Sequence, residues 1–320
     1  MSTALENQLR EARRQAHHAA MVTASGVRIG WGDLPGDVRD AVADILGGEV
    51  VEAVSQSGGF SPGSADRVRT TDGRRAFVKA VSAAQNEHSP DFHRREARVT
   101  AALPPSAPTP TLLGAYDDGD WVALVLTDVE GRHPATPWRD DDLASTRVAL
   151  DGLARIEAPP DLPAAAEHLE PDFTGWHRLR ADPSSLDEWT AAHLDELCRL
   201  AEHGLTALAG DTLTHTDIRA DNLLIGSDGT VTVIDWPHAT RGPAWLDTLM
   251  LLFNVRLCGG RPDLATISAD RIDLVGTLAG LGAFFADAAR LPAPPGLPSL
   301  RTFQRAQADA LTSWLRELLG

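Results

Sequence analysis

The chain has 320 residues, 43% hydrophobic and 23% charged, which suits a globular protein of about two domains and excludes a disordered one. Its formal net charge of -16 repels phosphate backbones, so a nucleic-acid partner is not expected; the acids would suit a cationic ligand, though net charge alone says only that they keep the chain soluble. Two cysteines, Cys198 and Cys258, far apart in sequence, are too few for a disulfide framework or a structural zinc site and fit a reducing, cytoplasmic setting.

The opening segment MSTALENQLREARRQAHHAA is polar, alanine-rich and helical in pattern, without the apolar core of a signal peptide. GDVRDAVADILGG predicts a short helix over 36–47 closed by a glycine stop. From 49 to 82, EVVEAVSQ, DRVRTT and AFVKAV alternate apolar and polar side chains across the turns SGGFSPGS and TDGR, as in an antiparallel sheet. A helix is expected at 90–103, followed by strands TLLGAY and WVALVLTDV joined at the acidic turn DDGD. EGRHPATPW, 130–138, is rich in Pro and Gly and reads as a linker.

Beyond it, helical apolar spacing covers 139–157, 188–209, 244–258, 265–288 and 299–319. A β-rich island interrupts the helices at 213–235, and RLPAPPGLPSL near 290–300 is a connection. The most apolar run, LDTLMLLFNVRL, is broken by Asn254 and Arg256 and is too short for a bilayer, so no membrane partner is expected. The fold class expected is α+β in two lobes. Residues 1–129 would form a small lobe with an antiparallel sheet, one helix and a helical N-terminal extension. Residues 130–138 would be the hinge, and 139–320 a larger helical lobe carrying a β-hairpin.

Chemistry concentrates in LTHTDIRADNLLIGSDGTVTVIDWPH, 213–238. A two-residue turn at Asp228-Gly229 would set a hairpin in which Leu224 faces Val233 and Asn222 faces Asp235. An amide oxygen and a carboxylate at one hairpin mouth, completed by phosphate oxygens, can hold Mg2+. His215, Asp217 and Asn222 give the H-x-D-x-x-x-x-N order of a kinase catalytic loop. With VIDW following HTDIRADN, the chain resembles the aminoglycoside phosphotransferase and choline-kinase family, which shares the protein-kinase fold. The order of strands, linker and helices agrees over roughly 30–260.

That resemblance implies an ATP- and Mg2+-dependent kinase, GTP being an open alternative, that phosphorylates a small-molecule hydroxyl. Asp217 would be the base, and Asn222 and Asp235 the metal ligands. Lys79, the single lysine among 29 basic residues, would contact the α- and β-phosphates from the third strand. A compact ammonium suits a narrow site that a planar guanidinium does not fit. Its partner follows from spacing: Phe92, Glu96, Val99 and Leu103 share one helix face, where an unpaired carboxylate would be costly.

The loop SQSGGFSPGSA, 55–65, stands where such a fold covers the phosphates, with Ser57, Gly58, Gly59, Ser61 and Gly63 as candidate contacts. Arg219 would stabilise the transferring phosphoryl group or pair with Asp221. His215 is more at home holding the loop than transferring a proton. Asp247 matches a family position that anchors the loop. The family more often has Gly, His, Pro and Gly where this chain has Thr216, Arg219, Ala220 and Asp221. The resemblance implies an acceptor pocket within 161–202, the segment of Trp176 and Trp189; of its acids Asp172, Asp182, Asp187, Glu188, Asp195 and Glu196, most read as a solvated helix face and one or two as contacts for a substrate amine. The acidic charge and the resemblance favour an aminoglycoside or another antibiotic. A metabolic amino alcohol, sugar or nucleoside, or a silent nucleotide-binding scaffold, are the alternatives. The sequence sets no oligomeric state.

Overall fold

A computed structural model describes residues 27–56, 58, 59 and 61–320. The expected N-terminal helical extension and Ser57 lie outside them. The described chain begins with helix α1 (Gly36–Leu46), closed by Gly47 in the left-handed conformation, as its glycine stop predicts. Strands β1 (Val50–Ser55), β2 (Ser64–Thr70) and β3 (Arg75–Ser82) follow, then α2 (Ser89–Ala102), β4 (Leu112–Asp117) and β5 (Trp121–Thr127). The five strands form one antiparallel sheet in the order β1-β2-β3-β5-β4.

Period-two alternation gives this sheet two faces of different use. Val68, Ala76, Val78, Ala80, Ala123 and Val125 pack with Leu34, Val38, Val42 and Leu46 into one apolar cluster against α1. The intervening residues Ala65, Arg67, Phe77, Lys79 and Leu126 line a cavity of about 770 Å³ instead. Lys79 sits mid-sheet, opposite Ala65 on β2 and Leu124 on β5, so its backbone is fixed from both sides.

The second lobe contains α3 (Asp140–Leu153), α4 (Ala165–Phe173), α5 (Gly175–Ala181), α6 (Glu188–Ala192) and α7 (Leu194–Ala207). Short strands β6 (Thr212–Thr214), β7 (Leu223–Ile225), β8 (Val231–Val233) and β9 (Thr240–Gly242) come next, then α8 (Leu246–Leu257), α9 (Arg271–Ala288) and α10 (Leu300–Leu319). Helix α9 is the hub, with Leu274, Leu278, Ala279 and Ala283 buried in a second, larger apolar cluster. It crosses α7 at Gly204 and Gly276, where a Cβ on either residue would collide with the other helix's backbone. The crossing needs two glycines.

The structure departs from the expected elements at four places. The helix expected at 188–209 is two, parted at His193, and the one expected at 265–288 starts at Arg271. Helices α4 and α5 were hidden among prolines; Pro171 sits in the last turn of α4. Strand β9 was too short to show an alternation, and it exists by pairing with β6. No helix of the described residues is long and apolar enough to cross a membrane.

Candidate active site

Lys79, Glu96 and Asp235 meet in the cleft. The Lys79 ammonium donates to Glu96 Oε1 at 2.8 Å, to Glu96 Oε2 at 2.9 Å and to Asp235 Oδ1 at 2.7 Å. Glu96 lies on the inward face of α2, as the spacing argument requires, but its stripe partner one turn earlier is His93, not Phe92. Phe92 is 46% exposed and tilts its ring against His238 at 5.5 Å. Spacing places both residues within reach of the Glu96 stripe, and packing against the rest of the molecule decides that His93 is the buried one. Burial works against the Lys79 charge, yet Asp235 and Glu96 together hold its pKa above the ordinary lysine value. Burial likewise resists ionisation of Asp235, and Lys79, with help from Arg219, holds that carboxyl well below the usual range.

The loop from His215 to Asn222 is held from beneath. The buried Asp247 carboxylate on α8 accepts the backbone N–H of His215 at 2.7 Å and of Thr216 at 2.9 Å. Thr216 stands at φ 64, a left-handed conformation unfavourable to a β-branched residue. Its hydroxyl donates to the His238 carbonyl at 2.7 Å, so side-chain bonding does what glycine would do by freedom. The His215 ring is fully buried, with Nε2 bonded to the Ile234 carbonyl at 3.0 Å and Nδ1 accepting the Asp217 N–H at 3.2 Å. Both nitrogens are committed to backbone. Of the three loop residues His215, Asp217 and Asn222, His215 shapes the loop and is out of place as a proton-transfer group.

Arg219 contacts both neighbouring acids. Nη1 donates to Asp217 Oδ1 and Oδ2 at 3.0 and 2.8 Å, while Nε and Nη2 donate to Asp221 at 2.9 and 2.8 Å. Its guanidinium also lies 5.6 Å from the ring centroid of Phe303 on α10. The Asn222 amide Nδ2 donates to the Asp217 carbonyl at 2.9 Å and to Asp217 Oδ2 at 3.0 Å.

The hairpin register is one residue off the expected one. Leu223 pairs with Val233, Leu224 with Thr232 and Ile225 with Val231. The connection is a three-residue loop rather than a two-residue turn: the Gly226 N–H bonds the Thr230 carbonyl, and Gly229 has φ 83. Asp228 accepts the Thr230 N–H and hydroxyl, both at 2.9 Å, and so favours the longer loop. Asn222 therefore pairs through its carbonyl with the Ile234 N–H, and Asp235 comes one residue later at φ 70. That turn of the backbone, not strand pairing, sends Asp235 to Lys79.

Asn222 and Asp235 nevertheless line the same cavity, and they fit a divalent cation. With Nδ2 given to Asp217, the Asn222 amide oxygen is the end left for a metal. The Asp235 side chain is 41% exposed against 4% for Glu96, so a carboxylate oxygen is accessible there. Among the described residues no group of three or more His, Cys, Asp or Glu could hold a metal alone. Such a site suits an ion that takes much of its shell from substrate phosphates.

Gly58, Gly59 and Ser61 line the cavity. Gly63 does not: at φ 94 its backbone lies against β3, where a Cβ would collide with the Ala80 carbonyl. Its role is close packing, which corrects its placement among the nucleotide contacts. Within 161–202 the two tryptophans and three of the acids have partners of their own. Trp176 is buried, with its indole N–H on the Ala279 carbonyl, and Trp189 stacks on His193 with Arg316 over its ring. Asp182, Asp187 and Asp195 are ion-paired with Arg290, Arg316 and Arg180.

Sequence reasoning missed Asn254, whose buried amide oxygen ties the Ala220 N–H to the Trp138 indole. It also missed Arg28, which lines the cavity from outside every predicted element. Asn254 was read only as an interruption of an apolar run, and no local pattern marks Arg28.

The sequence profile of the phosphotransferase enzyme family (APH) matches residues 59–281. No curated protein matches the chain. Among solved structures, a thermostable mutant of aminoglycoside phosphotransferase APH(4)-Ia, in ternary complex with ADP and hygromycin B, is 14% identical with a TM-score of 0.59, covering 89% of this chain and 99% of that one. Macrolide 2'-phosphotransferase MphH from Brachybacterium faecium is 16% identical with a TM-score of 0.51, covering 88% and 98%. A fructosamine-3-kinase homologue from Haemophilus somnus 129PT is 11% identical with a TM-score of 0.54, covering 87% and 96%. These likenesses establish a protein-kinase-like, two-lobed fold.

Proposed function

The chain belongs to the phosphotransferase enzyme family, and from that premise we propose that it moves the γ-phosphoryl group of ATP, or of GTP, onto a hydroxyl of a small cationic acceptor. The observation that carries this reading is the convergence of Lys79, Glu96 and Asp235 beside Asp217 and Asn222, from elements spread over 157 positions of the chain, in one cleft. The nucleotide lies beneath the sheet of the lobe ending at 129, across the 130–138 hinge, and the acceptor reaches Asp217 from the lobe of 139–320.

Lys79 donates to the α- and β-phosphate oxygens while Glu96 keeps it aimed. Asp217 orients the acceptor hydroxyl and takes its proton as the new P–O bond forms. Asn222 and Asp235 would hold Mg2+, which would offset the charge of the phosphates. As Arg219 stands, its guanidinium covers Asp217; an arriving phosphoryl group competes for it and frees a carboxylate oxygen for the hydroxyl. His215 and Asp247 keep the loop in register for this exchange. Positioning and charge neutralisation supply most of the acceleration.

The finer proposal is an antibiotic acceptor, an aminoglycoside foremost. The net charge of -16 supports a cationic substrate, and similar structures include a complex with hygromycin B and a macrolide 2'-phosphotransferase. The test is ADP release by the purified protein with ATP, Mg2+ and a panel of aminoglycosides, macrolides, amino alcohols, sugars and nucleosides. Acceptor-dependent release with an aminoglycoside is expected. Release only with a metabolic amine or sugar would remove the antibiotic reading, and nucleotide binding without release under any acceptor would remove the enzyme.

A further inference from the structure

Among the described residues four cationic side chains line the cavity: Arg28, Arg67, Lys79 and Arg132. Three have carboxylates of their own. Arg67 is 2.6 Å from Asp128, Arg132 is 2.5 Å from Asp142, and Lys79 is shared by Glu96 and Asp235. Arg28 forms no ion pair among the described residues. Its Nη2 donates to the Gly58 carbonyl at 2.6 Å, and its Nε is buried with no hydrogen-bond partner. A buried guanidinium N–H without an acceptor is uncommon and costs free energy unless something arrives to satisfy it.

The position of Arg28 narrows what arrives. Its segment is pinned to the base of the glycine-rich loop, Ile29 N–H to the Gly63 carbonyl at 3.1 Å and Gly63 N–H to the Val27 carbonyl at 3.3 Å. From there the side chain reaches under Gly58 and Gly59, at the end of the cavity where Asp235 lies. Burial pushes the Arg28 pKa down, and the field of Asp235, then Asp66, opposes this. Lys79, meanwhile, already answers two carboxylates. Among the described residues, this end of the cleft thus holds one cation whose charge no ion pair answers.

We propose that Arg28 is a polyphosphate ligand: it gives its free Nε–H, with an Nη N–H beside it, to non-bridging oxygens of a nucleoside triphosphate's β- and γ-phosphates. The planar fork of guanidinium donors matches that geometry and an ammonium does not. The proposal rests on the phosphotransferase reading. It concerns a residue outside the matched span 59–281.

Calorimetric titration of the full chain with adenosine, AMP, ADP, ATP and GTP in Mg2+ buffer, for wild type, Arg28→Met and Arg28→Lys, tests it. The expected result is a roughly ten- to hundredfold loss of ATP affinity in Arg28→Met, the worth of one or two charge-assisted hydrogen bonds. Adenosine affinity should be unchanged and Arg28→Lys intermediate. A loss equal for adenosine and ATP would assign Arg28 to ordering the loop and overturn the proposal, as would undiminished ATP binding by a folded Arg28→Met. Wild type that binds neither ATP nor GTP would overturn the kinase reading itself, a failure distinct from that of Arg28. Melting curves of both variants check folding, and Arg28→Lys carries the test should Arg28→Met unfold.

Discussion

The cleft contains two cations bound to two carboxylates each, and they are assembled in opposite ways. Lys79 meets Glu96 17 residues away and Asp235 156 residues away, so its network exists only once strand, helix and hairpin mouth are all in place. Arg219 meets Asp217 and Asp221, each two residues away, within a single loop. The first network ties the two lobes together. The second is confined to one loop, so its bonds can exchange without separating the lobes. Lys79 is therefore suited to a fixed grip and Arg219 to a movable one.

The largest expected effect lies where the movable network touches the chemistry. Asp217→Asn should lower kcat by roughly a hundred- to ten-thousandfold, with nucleotide affinity little changed, as for loss of a general base. Undiminished turnover in a purified variant would take Asp217 out of that role. Next comes the fixed network. Lys79→Met strands the buried Glu96 carboxylate and should cost about 3–5 kcal/mol in denaturant unfolding, along with activity. Lys79→Arg should stay folded and inactive; a fully active Lys79→Arg would make the lone lysine an accident of composition.

Arg219→Met should be milder, because Asp217 and Asp221 are 29% and 20% exposed and can turn to water. A roughly tenfold fall in kcat and about 1 kcal/mol of stability are expected. A stability loss as large as that of Lys79→Met would erase the distinction between the two networks.

The smallest effect is a control outside both. Asp172 makes no ion pair among the described residues, and burial, only weakly opposed by Arg178, pushes its carboxyl up to about 6 from 3.8. Its folded pKa exceeds the unfolded one, so its contribution to stability is full below 3.8 and lost as pH rises through 6. Asp172→Asn should therefore be more stable than the parent by about 1 kcal/mol near neutral pH, with the gap closing in acid. Melting curves across that range check it, and a gap independent of pH would refute it.

Much of this site was legible before any coordinates. The order of His215, Asp217, Asn222 and Asp235 and the phase that turns Glu96 inward are local properties that a chain carries wherever it folds. What went wrong went wrong locally too. A Gly-containing turn was read as two residues, because the side-chain bonds from Asp228 to Thr230 that lengthen it cannot be weighed from residue types alone. Phe92 was placed in a core that His93 occupies. His215, by contrast, holds the loop as its sequence reading favours, with both ring nitrogens spent on backbone.

The sequence by itself determined which side chains could do phosphoryl transfer and the elements that carry most of them, since periodicity and turn chemistry act over a few residues. Only the tertiary structure decided that Asp235 leaves its strand to reach Lys79, that Arg219 covers Asp217, and that Arg28 enters the cleft without a carboxylate partner. Those outcomes depend on distances across the closed cleft and on which donors find acceptors there, and neither is encoded within any single segment.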